Sequence, residues 1–193
     1  MTVLSLLPFP PLLWWQTAFQ SSGSLLDATE PFRKMGYRNR YRLASSNGPL
    51  WLTIPIIGGR EQRRPVGQIK IDNRLPWQRN HWRSLVSIYR RTPFFDHYEP
   101  LLQPLFETAF DGLSGFNKAS IHWCSEALEA SAPLTITDNL PSAFDDRRES
   151  RISFTDPHAP YAQPFLERTG FLSGMSILDL LFCEGPAAKS WLR

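Results

Sequence analysis

A row of arginines near the start of the chain holds the residues best suited to bind an anion. Residues Tyr37–Arg42 read Tyr-Arg-Asn-Arg-Tyr-Arg. In an extended strand side chains alternate between faces, so Arg38, Arg40 and Arg42 would share one face and Asn39 would lie on the other. Adjacent like charges repel and need a partner, and guanidinium groups bind phosphate or carboxylate bidentately. The row is therefore either an anion clamp or the solvated face of an edge strand, where charge discourages aggregation.

The two interpretations apply differently along the row. A solvated position is the simpler one for Arg42, whereas both remain open for Arg38 and Arg40. Asn39 is a poor strand former and needs hydrogen-bond partners if it is buried. Glu30 precedes the row and could act as a general base, but a counter-ion of Arg38 or Arg40 is the simpler role.

His81 is the second candidate for chemistry. It lies between Trp77 and Leu85 on the apolar face of a predicted helix. There it could be a general acid or base in a cleft. A core histidine whose ring nitrogens are satisfied by hydrogen bonds is the simpler interpretation.

Other polar residues have simpler explanations. Ser176 and Asp179 have capping-box-like spacing, with Ser176 as the N-cap, which accounts for Asp179 without a catalytic role. Pro141–Ser150 is predicted to be a charged loop. Its residues Asp145–Arg148 indicate a solvated loop, although an ordered loop carrying both signs could line a site. Tyr161 and Gln163 would share a face only in extended backbone.

Several large enzyme classes are excluded by the absence of their motifs. The sequence contains no P-loop, GxGxxG, HExxH or GxSxG pattern. Cys124 and Cys183 are far apart and form no CxxC pair, so we expect neither a disulfide nor a metal site, and no cofactor is indicated. The apolar N-terminus lacks a basic region and is interrupted by prolines, which disfavours a signal peptide. We therefore expect a cytoplasmic protein without a transmembrane segment.

The elements that must position these residues are short. The chain of 193 residues fits one domain, 1–193, and its 17 prolines imply many turns. Hydrophobic patterning predicts helices at Leu12–Phe19, Asn73–Arg91, Tyr98–Phe110 and Asn117–Glu129. It predicts strands at Val3–Leu7, Leu25–Ala28, Tyr37–Ala44, Leu50–Ile56, Val66–Ile71, Leu134–Thr137 and Ile152–Phe154.

This order of elements predicts an α+β fold. We expect a mixed sheet of short strands packed against several helices, most of them in the C-terminal half. Tyr37–Ala44 and Leu50–Ile56 flank Ser45-Ser46-Asn47-Gly48 and predict an early β-hairpin with a slightly long loop.

Several segments together resemble the WbqC-like protein family. They are Tyr37–Arg40 followed by Trp51–Pro55, the N-terminal strand with Pro8, Pro10 and Trp14-Trp15, the stretch from Trp77 to Tyr98, and Tyr161 to Phe182. Many members carry a Ser-Gly loop in the middle, which Pro141–Arg151 lacks, so the chain looks like the shorter branch. Some relatives sit with surface-polysaccharide genes.

The resemblance implies a role around glycan or activated-sugar precursors. One hypothesis is a transferase acting on a phosphorylated, nucleotide-linked or lipid-linked sugar. Arg38 and Arg40 would hold the phosphate, Asn39 would orient it, and His81 or Glu30 would move the proton. The remaining substrate-binding candidates are aromatic: Trp77 as a stacking wall, with Tyr37 and Tyr89.

The alternative hypothesis is a non-catalytic binding or assembly module of an envelope or polysaccharide pathway. The expected partner in both cases is an anionic small molecule. A nucleic-acid role needs a continuous basic surface, which a net charge of +3 does not predict. Convergence of Glu30, Arg38, Asn39 and His81 in one concave pocket would favour the enzyme.

Overall fold

Six strands form a sheet and a separate hairpin. The computed structural model describes residues 1–58, 63–129, 133–155 and 159–193. The strands in these ranges are β1 (Thr2–Ser5), β2 (Ser24–Asp27), β3 (Arg40–Ser45), β4 (Gly48–Thr53), β5 (Leu134–Thr137) and β6 (Asp145–Asp146). Strands β5, β2, β1 and β6 form a parallel sheet in that order, and β3 pairs with β4 antiparallel. The predicted combination of short strands, early hairpin and later helices is confirmed.

Helices pack around these strands and supply much of the core. The described helices are α1 (Leu12–Gln20), α2 (Trp77–Tyr89), α3 (Phe95–Glu107), α4 (Leu113–Ala127), α5 (Leu166–Thr169) and α6 (Ile177–Glu184), with 3₁₀ turns at Val66–Gln68 and Gly185–Leu192. Aromatic rings fill the space between them, as where Phe9 contacts Tyr41, Phe106 and Phe116. Nowhere in the described ranges is a helix both long and apolar enough to cross a bilayer.

The N-terminal unit is a short parallel crossover. Strand β1 leads through Pro11 into α1, because proline suits the start of a helix, and α1 returns the chain to β2. Trp14 and Trp15 are fully buried, and Trp14 Nε1 donates to Ser5 O at 3.0 Å. The prediction of this strand–helix–strand unit is confirmed.

The hairpin is tighter than its sequence predicts. Ser45 pairs with Gly48, so only Ser46 and Asn47 connect the strands. Gly48 has a φ of +95°, which a glycine adopts readily at such a turn. Strand β3 begins at Arg40 and not at Tyr37, which leaves residues 37–39 outside the ladder and free to turn inwards.

The start of α6 connects the hairpin to the N-terminal unit. The backbone N–H of Ser176 donates to Arg42 O at 2.8 Å, and that of Ile177 donates to Pro10 O at 3.1 Å. Ser176 Oγ accepts from Leu178 N at 3.2 Å, so the predicted N-cap is confirmed.

Three local predictions are wrong because tertiary contacts override them. A strand is predicted at Val66–Ile71, yet Val66–Gln68 forms a 3₁₀ turn. In this turn the backbone N–H of Gly67 donates to Ala28 O at 2.9 Å. No strand forms at Ile152–Phe154. The predicted solvated loop instead contains β6, which pairs with the start of β1.

The predicted helices are present, with shifted starts. The observed first residues are Trp77 where Asn73 was predicted, Phe95 where Tyr98 was predicted, and Leu113 where Asn117 was predicted. Pro76 explains the later start of α2, since the residue before a proline is driven out of helical conformation.

Candidate functional site

Polar residues gather where the parallel strands end. Ser5 and Asp27 are the last residues of β1 and β2, and Glu30 follows β2 closely. Arg148 and Glu149 follow β6, the strand on the other side of β1. In open parallel sheets the crevice outside the carboxyl ends of the strands is the usual ligand site. This edge is therefore the first candidate for a ligand site.

Arg38 lies between two glutamates at this edge. Its Nη2 group pairs with Glu30 Oε1, and its Nη1 group pairs with Glu149 Oε2 at 2.7 Å. Arg38 and Glu30 are 2% and 4% exposed, so the pairs are largely shielded from water. Such an arrangement is costly to break, because a lone buried charge would remain. We call Glu30, Arg38 and Glu149 the glutamate–arginine triad.

Glu149 fastens the triad to the sheet. Its backbone N–H donates to Ser5 Oγ at 2.8 Å, and its Oε1 accepts from the backbone N–H of Tyr37. Burial raises the pKa of its carboxyl above the ordinary value, against the lowering effect of Arg38. Its side chain keeps 12% exposure. Glu149 is thus the member of the triad nearest to solvent.

A second ion-pair group completes the edge. Arg148 donates from Nη1 to Asp27 Oδ2 and from Nη2 to Asp146 Oδ2, both at 2.8 Å. The hydrogen bonds from Arg148 lower the pKa of Asp146 to about 2. Asp27 is fully buried and also accepts from Thr29 N and Oγ1, at 2.8 and 2.6 Å. At the carboxyl ends of the parallel strands, the guanidinium groups of Arg38 and Arg148 are thus both paired with carboxylates.

Two asparagines hold the backbone around Arg38. Asn39 Nδ2 donates to Ile54 O at 2.9 Å, and Ile54 N donates back to Asn39 O at 2.7 Å. Asn117, fully buried on α4, donates to Leu6 O at 2.9 Å and to Arg38 O at 3.0 Å. Asn39 is therefore buried with partners, as its position in the sequence requires.

His81 lies in the core with both ring nitrogens engaged. Tyr41 Oη lies 3.1 Å from Nδ1, and Thr53 O lies 3.2 Å from Nε2. The carbonyl can only accept, so Nε2 carries the proton and Nδ1 accepts from the tyrosine. Burial lowers the pKa of His81 to about 4. The ring of Trp77 packs against it, with centroids 5.1 Å apart.

Tyr89 belongs to a different buried cluster. Its hydroxyl donates to Asp179 Oδ1 at 2.9 Å, and both residues are fully buried. Burial raises the pKa of Asp179 to about 7, although hydrogen bonds from Tyr89, Tyr161 and Gln163 act in the lowering direction. Asp179 is thus more than a capping residue, contrary to the sequence-based interpretation: its carboxyl joins α6 to α2.

The outer face of the hairpin carries the remaining arginines. The guanidinium carbon of Arg40 lies 3.9 Å from the Trp51 ring centroid, and that of Arg42 lies 5.4 Å from it. Tyr37 packs edge-on against the same tryptophan, at 4.9 Å. Tyr37 therefore lies with these arginines and Arg38 does not, so the predicted alternation holds only from Arg40 onwards. We call Tyr37, Arg40, Arg42 and Trp51 the arginine–tryptophan face.

The predicted site residues thus fall into separate groups. Arg38 meets Glu30 directly, and Asn39 and His81 bond to the neighbouring carbonyls of Ile54 and Thr53. The cavities beside the C-terminus, beside β5 and along α2 are lined by residues other than Glu30, Arg38, Asn39 and His81.

Sequence reasoning did not select three residues that organise the buried polar clusters. Glu149 lies in what was taken for a solvated loop, and only the pairing of β6 brings it to Arg38. Asn117 has no local pattern that distinguishes it. Asp179 had one available signal: an aspartate within the apolar run Ile177–Phe182 needs a buried partner.

Comparisons with known proteins place this geometry in a family context. The model of the WbqC-like protein family matches residues 8–153, a span that includes the whole glutamate–arginine triad and ends before Asp179. An uncharacterised protein of Mycobacterium tuberculosis (strain ATCC 25618 / H37Rv) is 27% identical over 198 residues, covering 84% of each chain. No solved structure matches the chain.

Proposed function

Because the chain belongs to the WbqC-like protein family, we propose that it is a non-catalytic binding module for a phosphorylated, nucleotide-linked or lipid-linked sugar precursor. The arginine–tryptophan face holds the phosphate, and the module serves surface-polysaccharide metabolism. The family resemblance supports the sugar context. Two buried free cysteines support a reducing, cytoplasmic location.

The observation that carries this proposal is the state of Arg42. Its Nη1 group makes only long contacts, 3.5 Å to Tyr37 Oη and 3.4 Å to Ser173 O. Its buried Nε has no hydrogen-bond partner among the described residues, and no carboxylate there pairs with it. The Nη groups of Arg42 therefore retain their capacity to donate to an anion, whereas the buried Nε is shielded from any ligand. Arg40, on the same side of Trp51, adds a second positive charge.

The buried candidates support binding over catalysis. The guanidinium of Arg38 is already taken by two carboxylates, and neutral His81 has no nitrogen left for a substrate. We therefore assign Arg38, Asn39 and His81 to holding the hairpin in place. Trp77 and Tyr89 are buried beside them and serve as packing and hydrogen-bonding residues.

A transferase is the second candidate, and Glu149 is the residue that favours it. A carboxyl with a raised pKa and partial exposure, at the ligand-binding edge of a parallel sheet, suits a general acid or base. In this alternative Glu149 transfers the proton. Glu30 and His81 are buried, so either could take that role only if the structure around it opened to the substrate.

A thermal-shift titration tests the binding proposal. Nucleotide sugars, sugar 1-phosphates and inorganic phosphate are compared on the wild type, Arg42→Gln and the control Arg79→Gln. A ligand at a hundred times its Kd stabilises the folded state by about 2.7 kcal/mol. We expect this stabilisation in the wild type and the control and its loss in Arg42→Gln. A flat response to every sugar phosphate overturns the proposal.

A turnover assay separates the two candidates. The wild type is incubated with whichever sugar phosphate binds, in the presence of glycan and amine acceptors, and product is followed by mass spectrometry. Product that disappears in Glu149→Gln, while binding persists, establishes the transferase. Binding without product in all variants establishes the module.

A further inference from the structure

The segment that contains α2 is an unusually basic stretch. Residues 73–95 contain five arginines and neither aspartate nor glutamate. Arg74 pairs with Asp72 just before the stretch. Among the described residues, no carboxylate pairs with Arg83, Arg90 or Arg91, all of which are exposed. A net charge of only +3 for the whole chain makes this concentration of charge local.

These arginines line a groove. One cavity of about 390 Å³ includes Arg83, and a second of about 530 Å³ includes Arg90 and Arg91. The two cavities share Ser87, Ile88 and Phe165, so they form one trough along the outer side of α2. We call this trough the α2 groove.

The groove has a firm opposite wall. The tip of the hairpin lines it through Ser45, Ser46 and Asn47. Arg168, in α5, donates from Nη2 to Asn47 Oδ1 at 3.3 Å and so ties that tip to the segment that carries Phe165. Phe165 is 39% exposed and lines both cavities.

The spacing of the charges favours an extended ligand. Arg83 and Arg90 are seven residues apart, which is about two turns and about 10 Å along the helix. They therefore lie on the same side, one at each end of the groove. A single phosphate cannot reach both, whereas an elongated polyanion can.

We propose that the α2 groove binds an acidic oligosaccharide, with arginines at each end holding its anionic groups. Serine hydroxyls and one exposed ring suit a sugar chain, which offers hydroxyls to the former and an apolar face to the latter. Single-stranded nucleic acid prefers a series of stacking rings, and the described lining provides only Phe165. A flat membrane surface fits a concave trough poorly.

The groove is independent of the arginine–tryptophan face. Arg40 and Arg42 alternate along β3 with Tyr41, whose hydroxyl meets His81 on α2. The two positive regions therefore lie on opposite faces of the hairpin. A ligand in one does not require a ligand in the other.

Fluorescence anisotropy with a labelled oligogalacturonate octamer tests the proposal, with uncharged maltooctaose as the competitor control. We expect Arg83→Gln and Arg90→Gln each to weaken binding about fivefold, in line with about 1 kcal/mol for an exposed charge pair. The double variant should lose about 25-fold, because distant sites add. Arg79→Gln removes a charge one turn before Arg83 but outside the described lining, and it should weaken binding by less than about twofold.

Other outcomes overturn the proposal. They are no binding, equal loss in Arg79→Gln, or equally tight binding of a single-stranded DNA octamer or of anionic vesicles that depends on the same arginines. Phe165→Ser should weaken the oligosaccharide in 0.3 M salt, where screening by salt leaves the ring contact dominant (a Debye length of about 6 Å). Unchanged affinity of this variant also counts against the proposal. Arg42→Gln should bind the octamer normally, which distinguishes this groove from the sugar-phosphate face.

Discussion

The hydroxyl of Tyr89 on α2 donates a 2.9 Å hydrogen bond to the fully buried carboxyl of Asp179 on α6. The bond joins the two helices through residues that are ninety positions apart in the sequence. Burial raises the pKa of Asp179 from 3.8 to about 7. The folded protein therefore keeps a proton on Asp179 over a pH range where the unfolded chain has released it, and stability becomes dependent on pH.

Asp179 should make the protein less stable as pH rises from about 4 to about 7. Over this range the folded state binds the extra proton, so the free energy of unfolding falls as the proton becomes scarce. A shift from 3.8 to about 7 corresponds to a loss on the order of 4 kcal/mol. Urea unfolding at pH 5 and pH 8 measures the part of this loss that falls between those two values, about 2.6 kcal/mol.

Asp179→Asn is the matched variant for this effect. It keeps an acceptor for Tyr89 and removes the titration, so it should exceed the wild type in stability at pH 8 and approach it at pH 4. The comparison between the two proteins is needed because His81 acts in the opposite direction between pH 4 and 6.5. Parallel pH profiles of the two proteins contradict the assignment.

His81 should stay neutral well below the ordinary histidine range. Its pKa is lowered from 6.5 to about 4 by burial, so stability is lost as pH falls from about 6.5 towards 4. The imidazole signals in an NMR titration should remain at their neutral positions until below pH 5, with the proton on Nε2. A ring that titrates at pH 6.5 or above would return His81 to the list of catalytic candidates.

Removal of Arg38 should destabilise the fold by about 3–5 kcal/mol, because Glu30 and Glu149 would be left buried without their counter-ion. Arg38→Met keeps most of the side-chain volume, and urea unfolding measures the loss. Arg79→Met is exposed and should change stability by less than about 0.5 kcal/mol.

A double-mutant cycle identifies the partner. Combining Arg38→Met with Glu149→Gln should cost less than the sum of the single changes, since the orphaned carboxylate is then neutral. Additive losses would mean that the two side chains do not interact in solution.

Local signals predicted the parts of the fold that depend on few contacts. The Asn47-Gly48 turn between two apolar runs predicted the hairpin, and Pro11 predicted the start of α1. The apolar face of Asn73–Arg91 predicted α2, and it gave a core position as one of two alternatives for His81. In each case the signal lies within a short stretch of the sequence.

The rest depends on pairing between distant segments. Strand β6 contains only Asp145 and Asp146, and it forms because these residues pair with the start of β1. Without that pairing Glu149 has no visible relation to Arg38, so the triad and the carboxyl-edge site could not be predicted from local pattern. The alternation of the arginines failed for the same reason, since Glu149 and Asn117 draw residue 38 out of the strand.

Gly174 lies close to Arg42 of the arginine–tryptophan face, and its substitution should destabilise the fold. Its φ is +71°, and a Cβ there would lie 2.8 Å from Phe154 O and 3.2 Å from Arg42 Nη1. Gly174→Ala should therefore lower the free energy of unfolding by about 1–3 kcal/mol and displace Arg42. Gly23→Ala, whose Cβ would meet nothing within 4 Å, serves as the control and should be neutral or slightly stabilising. If both variants unfold at the same urea concentration, the close approach of residue 174 to Phe154 does not persist in solution, and the position of Arg42 is set by other contacts.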